Sequence, residues 1–260
     1  MHGQYGTSSY PIGVTAHASN DTKGNWVQVV AATAFDAYGF MLTFGYSAGN
    51  ALYLTDIAIG AEGSEQVIIP DIAFHATTSC NFSACSYFFP IYIPKGSRIS
   101  ARCQSTTGGN YVRTLIHLLS GGFKQASPLN IVDCYGLAGS SRGTTVDAGT
   151  SANTKGAYAE VVASATRKIE GLVVAFGNGN DATRASGEWL VDIAIGAAGS
   201  EQIIVPDLHI SLSTAEAKIF PQTYPFLPIV IPAGTRIAAR AQSTLTTTDR
   251  YFDIFVYGVS

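Results

Sequence analysis

Short apolar runs, separated by clusters of glycine, serine, asparagine and proline, recur along the whole chain. Eight such runs in the first half are rich in Val, Ile, Tyr and Phe, and they lie near residues 10–16, 25–34, 38–45, 51–59, 66–74, 87–93, 97–104 and 111–119. Within one of them, Ile57 and Ile59 alternate with Asp56 and Ala58, the period of two that separates the faces of a strand. Runs of this length and composition predict β-strands. Only residues 213–219 have a faint helical pattern.

Two kinds of turn connect these runs. Residues 92–98 read YIPKGSR, and residues 230–236 read VIPAGTR. Proline fixes φ at the second position of a turn and glycine tolerates a positive φ, so both segments predict a tight hairpin. Residues 60–64 and 196–200, which contain two glycines each, predict a second turn.

Two long stretches of the chain occur twice. Residues 56–71 read DIAIGAEGSEQVIIPD and residues 192–207 read DIAIGAAGSEQIIVPD, with 13 of 16 positions identical. Residues 90–106 and 228–244, PIYIPKGSRISARCQST and PIVIPAGTRIAARAQST, share 12 of 17. The second copy is longer at connections, above all at the loop tip 178–187, where folds tolerate insertions. Repeats of this length predict an internal duplication.

Each copy predicts one globular domain. The first is residues 1–124, a β-sandwich with an N-terminal arm over Met1–Tyr10, and the second is its duplicate at residues 125–260, joined through residues 121–130. Eight strands in roughly 125 residues predict an all-β chain of two tandem jelly-roll-like antiparallel β-sandwiches. An immunoglobulin-like strand order stays open. The repeat favours pseudo-twofold packing of the two sandwiches, and a beads-on-a-string arrangement fits equally well.

Charged residues are scarce. The chain has 15 Lys+Arg and 18 Asp+Glu, 13% of its residues and a net charge of -3, where soluble proteins average roughly 25% charged residues. This balance excludes a nucleic-acid binder that depends on counterion release, and 47% hydrophobic residues exclude a disordered chain. A surface of small neutral residues favours contact with other proteins.

No export or membrane segment is predicted. Residues 1–20 contain no Lys or Arg and no continuous apolar core, unlike a secretory signal. The most apolar runs are far shorter than the ~20 residues of a membrane span. We therefore expect a chain that is made in a cytoplasm and meets no membrane.

The cysteines show neither a CxxC pair nor the histidine spacing of a metal site; they are Cys80, Cys85, Cys103 and Cys134. We expect four unlinked thiols. A disulfide between Cys80 and Cys85 is the alternative, and a metal site is the weakest interpretation.

Candidate catalytic motifs are few. Residues 139–143 read GSSRG and match GxSxG, but a nucleophile elbow needs a helix after the serine, and residues 144–153 consist mainly of Thr, Ser, Ala and Gly. Residues 177–180, GNGN, resemble the start of a dinucleotide fingerprint without its βαβ unit. The histidines have no partner that recurs in both copies; they are His2, His17, His75, His117 and His209. We therefore assign no catalytic, cofactor-binding or metal-binding residue, expect no cofactor, and expect that the protein is not an enzyme.

Charged and aromatic positions recur in both copies. The charged pairs are Asp56/Asp192, Glu65/Glu201, Asp71/Asp207, Arg98/Arg236 and Arg102/Arg240. They could form a binding site in each domain, but ion pairs between strands are favoured, because an unpaired half-buried charge is costly. The aromatic residues could form a sugar-stacking platform, but packing is favoured for them too; they are Tyr87, Phe88, Phe89, Phe220, Tyr224 and Phe226.

The pattern DIAIGAxGSEQxIxPD…IPxGxRIxARxQST resembles a β-sandwich domain of structural proteins from tailed bacteriophages, of the head-decoration, neck and tail-associated types. The positions that carry the resemblance are Asp56, Gly60, Pro70, Pro94, Gly96 and Arg98 with Asp192, Gly196, Pro206, Pro232, Gly234 and Arg236. The resemblance implies a virion component on the capsid surface, made in the host cytoplasm and without catalytic residues.

Two functions are therefore expected as alternatives. The first is a capsid decoration or cement protein that stabilises a phage head by binding the major capsid protein or other virion proteins, as a homo-oligomer. Its arm, Met1–Tyr10, would extend over a neighbour. The second is a neck-, tail- or fibre-associated module that binds a receptor or glycan through loop tips such as Asn178–Gly187. A glycan hydrolase or lyase would need paired carboxylates in a cleft, which the repeated acids at turns do not favour.

Overall fold

The computed structural model is all-β in its described part, which comprises residues 2–3, 12–47, 51–76, 85–120, 129–177, 187–212, 222–247 and 250–260. The strands of the first half are β1 (His2–Gly3), β2 (Ile12–Thr15), β3 (Val27–Val30), β4 (Gly39–Ser47), β5 (Ala51–Ile59), β6 (Gln66–Ala76), β7 (Cys85–Phe89), β8 (Ile99–Ser105) and β9 (Tyr111–Leu119). Those of the second half are β10 (Val132–Tyr135), β11 (Thr144–Asp147), β12 (Ala159–Val162), β13 (Gly171–Gly177), β14 (Gly187–Ile195), β15 (Gln202–Leu212), β16 (Gln222–Thr223), β17 (Ile237–Ser243) and β18 (Tyr251–Val259).

Each half is a sandwich of two antiparallel sheets. In the first half one sheet has the order β1-β9-β4-β7, with β2 also on β9, and the other has the order β3-β8-β5-β6. In the second half the orders are β10-β18-β13-β16, with β11 on β18, and β12-β17-β14-β15. The chain passes repeatedly from one sheet to the other, which is the jelly-roll arrangement. The predicted fold is confirmed, and the strand order excludes the immunoglobulin-like alternative.

The two halves have equivalent strands in equivalent register. Met41 pairs with His117 as Val173 pairs with Tyr257, and Leu54 pairs with Ala73 as Leu190 pairs with His209. The repeated sequence therefore folds twice into the same strand order, and origin by duplication stays an inference from sequence. The predicted boundary at residues 124/125 falls within 121–128, outside the described residues.

The prediction of a hairpin at Pro94–Gly96 is wrong, although the local turn forms. The Ser97 amide donates to the Pro94 carbonyl at 3.3 Å, and the Thr235 amide donates to the Pro232 carbonyl at 3.4 Å. However, β7 pairs with β4 while β8 pairs with β3 and β5, so the turn carries the chain from one sheet to the other. Local turn chemistry specified the reversal but not the partners of the flanking strands.

The second predicted turn does join a hairpin, β5 with β6 and β14 with β15. The Ser64 amide donates to the Ala61 carbonyl at 3.0 Å, and Gly60 has a φ of 120°. A Cβ on Gly60 would lie 2.8 Å from the Ser64 carbonyl oxygen, so both the backbone conformation and the close approach require glycine.

The hydrophobic core of each half lies between its two sheets. Large buried side chains fill it, among them Phe40, Tyr87 and Phe89 in the first half and Trp189 and Phe252 in the second. Strand β5 is buried on both faces, because charged side chains cover the face that carries Asp56. The expected alternation of residues is present there, but it does not separate buried from exposed positions.

Candidate functional site

A cluster of charged side chains covers one sheet of the first half. Lys23 Nζ lies 2.7 Å from Asp56 Oδ1 and 2.6 Å from Asp71 Oδ1, and it also donates to the Leu54 carbonyl. Arg102 Nε donates to Asp56 Oδ2 at 2.8 Å. The Asp71 amide donates to Asp56 Oδ1 at 3.0 Å, so both carboxylate oxygens of Asp56 accept hydrogen bonds.

The same cluster recurs in the second half. Lys155 Nζ lies 2.7 Å from both Asp192 Oδ1 and Asp207 Oδ1, and Arg240 Nε donates to Asp192 Oδ2 at 3.0 Å. Burial alone would raise the pKa of Asp192, but hydrogen bonds from Lys155, the Asp207 amide and Arg240 outweigh it and lower this pKa. The cluster therefore holds an ionised carboxylate that is already saturated with donors, which suits strand cross-linking rather than proton transfer.

An aromatic ring lies against the arginine of each cluster. The Arg102 guanidinium carbon lies 4.4 Å from the centroid of the Trp26 ring, and that of Arg240 lies 4.7 Å from the Tyr158 ring. Both are cation–π contacts. The facing surface of each ring is therefore occupied by an arginine of its own half.

A second ion pair holds the turn between β5 and β6, and its counterpart holds the turn between β14 and β15. Arg98 Nη1 lies 3.0 Å from Glu65 Oε1, and Arg236 Nη1 lies 3.1 Å from Glu201 Oε1. Each arginine also donates to the carbonyl of the first glycine of the turn, Gly60 or Gly196. All five repeated charge pairs thus bind within their own half, as the strand-pairing interpretation predicted.

The GxSxG segment forms a tight turn followed by strand β11, not by a helix. Ser141, the serine of the motif, has a φ of 56°, is 2% exposed and donates from Oγ to Asp21 Oδ1 at 2.7 Å. It also accepts from Gln104 Nε2 at 2.9 Å. The serine therefore joins the second half to two side chains of the first, a role that the sequence did not indicate.

The described cysteines are free thiols: Cys85, Cys103 and Cys134. Burial raises the pKa of Cys85 and of Cys103 to about 12, and it also raises the pKa of Cys134. These thiols are protonated near neutral pH and weak as nucleophiles or ligands. Cys80, and with it the alternative disulfide to Cys85, lies outside the described residues.

The histidines whose side chains the structure describes are not brought together. His17 Nδ1 accepts from the Ser19 amide at 3.0 Å, His75 is buried, and His209 is exposed with Nε2 4.0 Å from Glu188 Oε1. His117 lies half-buried on β9, and the side chain of His2 lies outside the described residues. Within the described ranges no three His, Cys, Asp or Glu side chains form a group that could hold a metal ion.

The strongest candidate for a functional surface is the contact between the two sandwiches. The outer face of the sheet β10-β18-β13-β16, here called the outer face of the second half, carries Val173, Ala175, Phe255, Tyr257 and Val259, all buried in one apolar cluster with the first half. It covers the side of the first sandwich where edge strands β6 and β7 meet, here called the open side. An outer face therefore packs against an open side, which is not a pseudo-twofold arrangement and not beads on a string.

Tyr257 is the central residue of this contact. Its ring meets those of Tyr87 and Phe89 edge-on, with centroids 5.8 Å apart in each case. Its hydroxyl accepts from the Ala73 amide at 2.8 Å and donates to the Asp71 carbonyl at 3.1 Å, and burial raises its pKa. Tyr257 thus satisfies backbone groups of edge strand β6 that would otherwise face water or another chain.

Aromatic residues noted in the sequence pack against other side chains, Tyr87 and Phe89 in this contact and Tyr224 within the second half. Tyr87 and Phe89 are fully buried, and the Tyr87 hydroxyl donates to the Ala73 carbonyl. Tyr224 is half-buried and meets Phe176 edge-on at 5.9 Å. The packing interpretation is therefore confirmed at these positions, whereas Phe220 lies outside the described residues.

One gap between the halves, lined by described residues, is too small for a ligand. The gap lined by Tyr53, His75, Ser141 and Phe255 has a volume of about 10 Å³, less than a small molecule needs. A shallow cleft of about 260 Å³ near His17 and Gly24 is lined largely by backbone and small side chains. The described part of the chain contains no helix of the length and hydropathy that a membrane crossing requires.

Several predicted segments lie outside the described residues. They are most of the arm Met1–Tyr10, the loop Asn178–Gly187 except its last residue, the fingerprint-like residues 178–180, the connection 121–128 and the faintly helical residues 213–219. Loop-tip binding of a receptor or glycan therefore stays a prediction.

Comparison with known proteins gave no match to any family model and none to a curated protein. Among solved structures, a peptide-N(4)-(N-acetyl-β-D-glucosaminyl) asparagine amidase is 11% identical with a TM-score of 0.38, over 96% of each chain. PNGF-II is 10% identical with a TM-score of 0.35, over 96% of this chain and 65% of that one. The CBM22-1-CBM22-2 tandem domain of Paenibacillus barcinonensis Xyn10C is 13% identical with a TM-score of 0.24, over 94% and 85%. Likeness at this level carries no argument about function.

Proposed function

We propose that this protein is a non-enzymatic structural component of a tailed-phage virion, a decoration or cement protein that braces the head through protein–protein contacts. The observation that carries the proposal is how the two sandwiches use their charged residues and their apolar sheet faces. The repeated charged residues form ion pairs inside each sandwich, and an apolar sheet face packs against the other sandwich.

This arrangement favours assembly because the recurring polar residues are engaged in holding strands together. Asp56 and Asp192, both buried, accept hydrogen bonds at both oxygens from their own half. Stable protein interfaces have cores that are poor in charge and rich in aromatic residues. The contact around Tyr257 has that composition, and the phage-type resemblance of the repeated motif supplies the setting: the major capsid protein as partner and the virion surface as location.

Immunoelectron microscopy tests the proposal. An antibody against the purified full-length chain is applied to phage particles from the source culture, with preimmune serum as the control. Label on heads supports decoration. Label confined to necks, tails or fibres would overturn it in favour of the receptor- or glycan-binding alternative, which a glycan array then examines. Unlabelled particles in a culture whose cells contain the protein would reject a virion role altogether.

A further inference from the structure

Each half carries its own version of both docking surfaces, and the described residues use one version of each for the contact between the halves. Because the strand registers are equivalent, the outer face of the first half can be matched residue by residue to that of the second. The residues that match the buried Val173, Ala175, Phe255, Tyr257 and Val259 are Met41, Thr43, Leu115, His117 and Leu119.

This second outer face is apolar and only half covered. Met41, Leu115 and Leu119 are half-buried, whereas their counterparts in the second half are 0–5% exposed. The Phe88 ring lies over Gly39 as the Phe226 ring lies over Gly171. His117 takes the place of Tyr257, and its Nδ1 is buried without a hydrogen-bond partner among the described residues.

Among the described residues, the open side of the second half is also less covered than that of the first half. Its edge strand β15 matches β6, and Tyr224 and Leu227 stand where Tyr87 and Phe89 stand in the first half. Tyr224 donates to the His209 carbonyl as Tyr87 donates to the Ala73 carbonyl. Yet Tyr224 and Leu227 are half-buried and His209 is exposed, and the Asp207 side chain is 57% exposed against 20% for Asp71.

We propose that copies of this chain associate head to tail, with the outer face of the first half of one copy packed on the open side of the second half of the next. The occupant is a second copy because the chain already contains this contact once, between surfaces in the same register and strand order. The inference deepens the proposed assembly role and rests on it for its biological setting. Because the two surfaces differ, the association is heterologous and gives a ring or a filament instead of a closed twofold dimer.

Two substitutions test this, one on each of the two surfaces that are proposed to meet. Leu115→Glu places a charge on the outer face of the first half and leaves the open side of the second half intact. His209→Glu places a charge on the open side of the second half, at the exposed residue of β15 that matches Ala73 of the contact, and leaves the outer face of the first half intact. Ala61→Glu adds the same charge in the exposed turn between β5 and β6 and is the control. All three changes lie at half-exposed or exposed positions, and circular dichroism verifies their folding.

Sedimentation velocity of the full-length chain from about 1 to 500 μM gives the readout. We expect the wild-type chain and Ala61→Glu to form species larger than dimers as concentration rises, and each face variant alone to stay monomeric. An equimolar mixture of the two variants should form dimers and nothing larger, because only one competent pair of faces remains. A monomeric wild type at 500 μM, or a mixture that stays monomeric, would overturn the proposal.

A thiol at residue 41 identifies what covers the outer face. Met41→Cys in the His209→Glu background should react with maleimide at the rate of an accessible thiol, and the same substitution in the assembled chain should be protected. Protection in the monomer would show that the N-terminal segment of the same chain covers this face, which also overturns the proposal. Head-to-tail association without label on phage particles would reject only the proposed function.

Discussion

Replacement of Tyr257 by phenylalanine removes one oxygen atom from the contact between the halves and leaves the ring in place. The hydroxyl accepts from the Ala73 amide and donates to the Asp71 carbonyl, in a site that is 0% exposed. A buried backbone group left without a partner costs about 1–3 kcal/mol. The Asp71 carbonyl keeps a long hydrogen bond from Cys134 Sγ at 3.8 Å, so it does not lose every partner. We therefore expect Tyr257→Phe to lower the free energy of unfolding by about 2–3 kcal/mol.

Urea unfolding followed by fluorescence measures this loss, because Trp26 lies in the first half and Trp189 in the second. The control is Tyr92→Phe, which removes a half-exposed hydroxyl that donates to Asp36 Oδ1 at 3.2 Å. Surface changes of this kind cost within about 0.5 kcal/mol. The reasoning is refuted when the two variants differ by less than about 0.5 kcal/mol, since the Tyr257 hydroxyl would then not stabilise the contact.

Three further outcomes are expected. Asp192→Asn should cost about 2–3 kcal/mol at pH 7, because a charge-assisted hydrogen bond is worth about 1.5–3 kcal/mol and Lys155 loses an ionised partner. Since the folded pKa of Asp192 is lowered, the stability it contributes is present above the unfolded pKa and is lost as pH falls through the folded pKa; acid titration of unfolding should show this loss in the wild type and not in the variant. Cys85 and Cys103 should resist a thiol reagent in the native protein at pH 8 and react after unfolding, because burial raises each pKa to about 12; peptide mapping that finds either one modified within minutes contradicts their burial. Ser141 should not react with a fluorophosphonate probe, because it is 2% exposed and its hydroxyl donates to a carboxylate; stoichiometric labelling at Ser141 would revive an enzymatic function.

The strands were predictable because their information is local. The ranges 51–59 and 111–119 match β5 and β9 to the residue, since β-branched and aromatic runs there end at glycine and serine clusters. Which strands pair with one another could not be predicted from local sequence. The turn at Pro94–Gly96 forms as its residues require, but the sheet that each flanking strand joins depends on contacts far away in the sequence.

The repeat pointed to the residues that stabilise each half but not to the residues that hold the two halves together. Positions that are identical in both copies, such as Asp56 and Asp192, hold each sandwich together. The contact between the halves instead depends on a position where the copies differ, Tyr257 against His117. Lys23 was missed for another reason: it matches Lys155 only within the triplet TKG at residues 22–24 and 154–156. So short a match gives no sign that the Lys23 side chain reaches Asp56, 33 residues away. A comparison of differences between copies would have indicated the contact surface.

The position of Tyr257 near the carboxyl end of the sequence has a consequence for synthesis of the protein. Strand β6 and the rest of the first sandwich are complete by Ser120, yet the residue that caps the Ala73 amide is translated 137 residues later. At about 5–20 residues per second, the ribosome takes roughly 7–27 s over this interval. During that time the nascent first sandwich presents a strand edge that can pair with another nascent chain, so pauses in translation before Tyr257 should increase aggregation, and a chaperone that holds this edge should improve the yield.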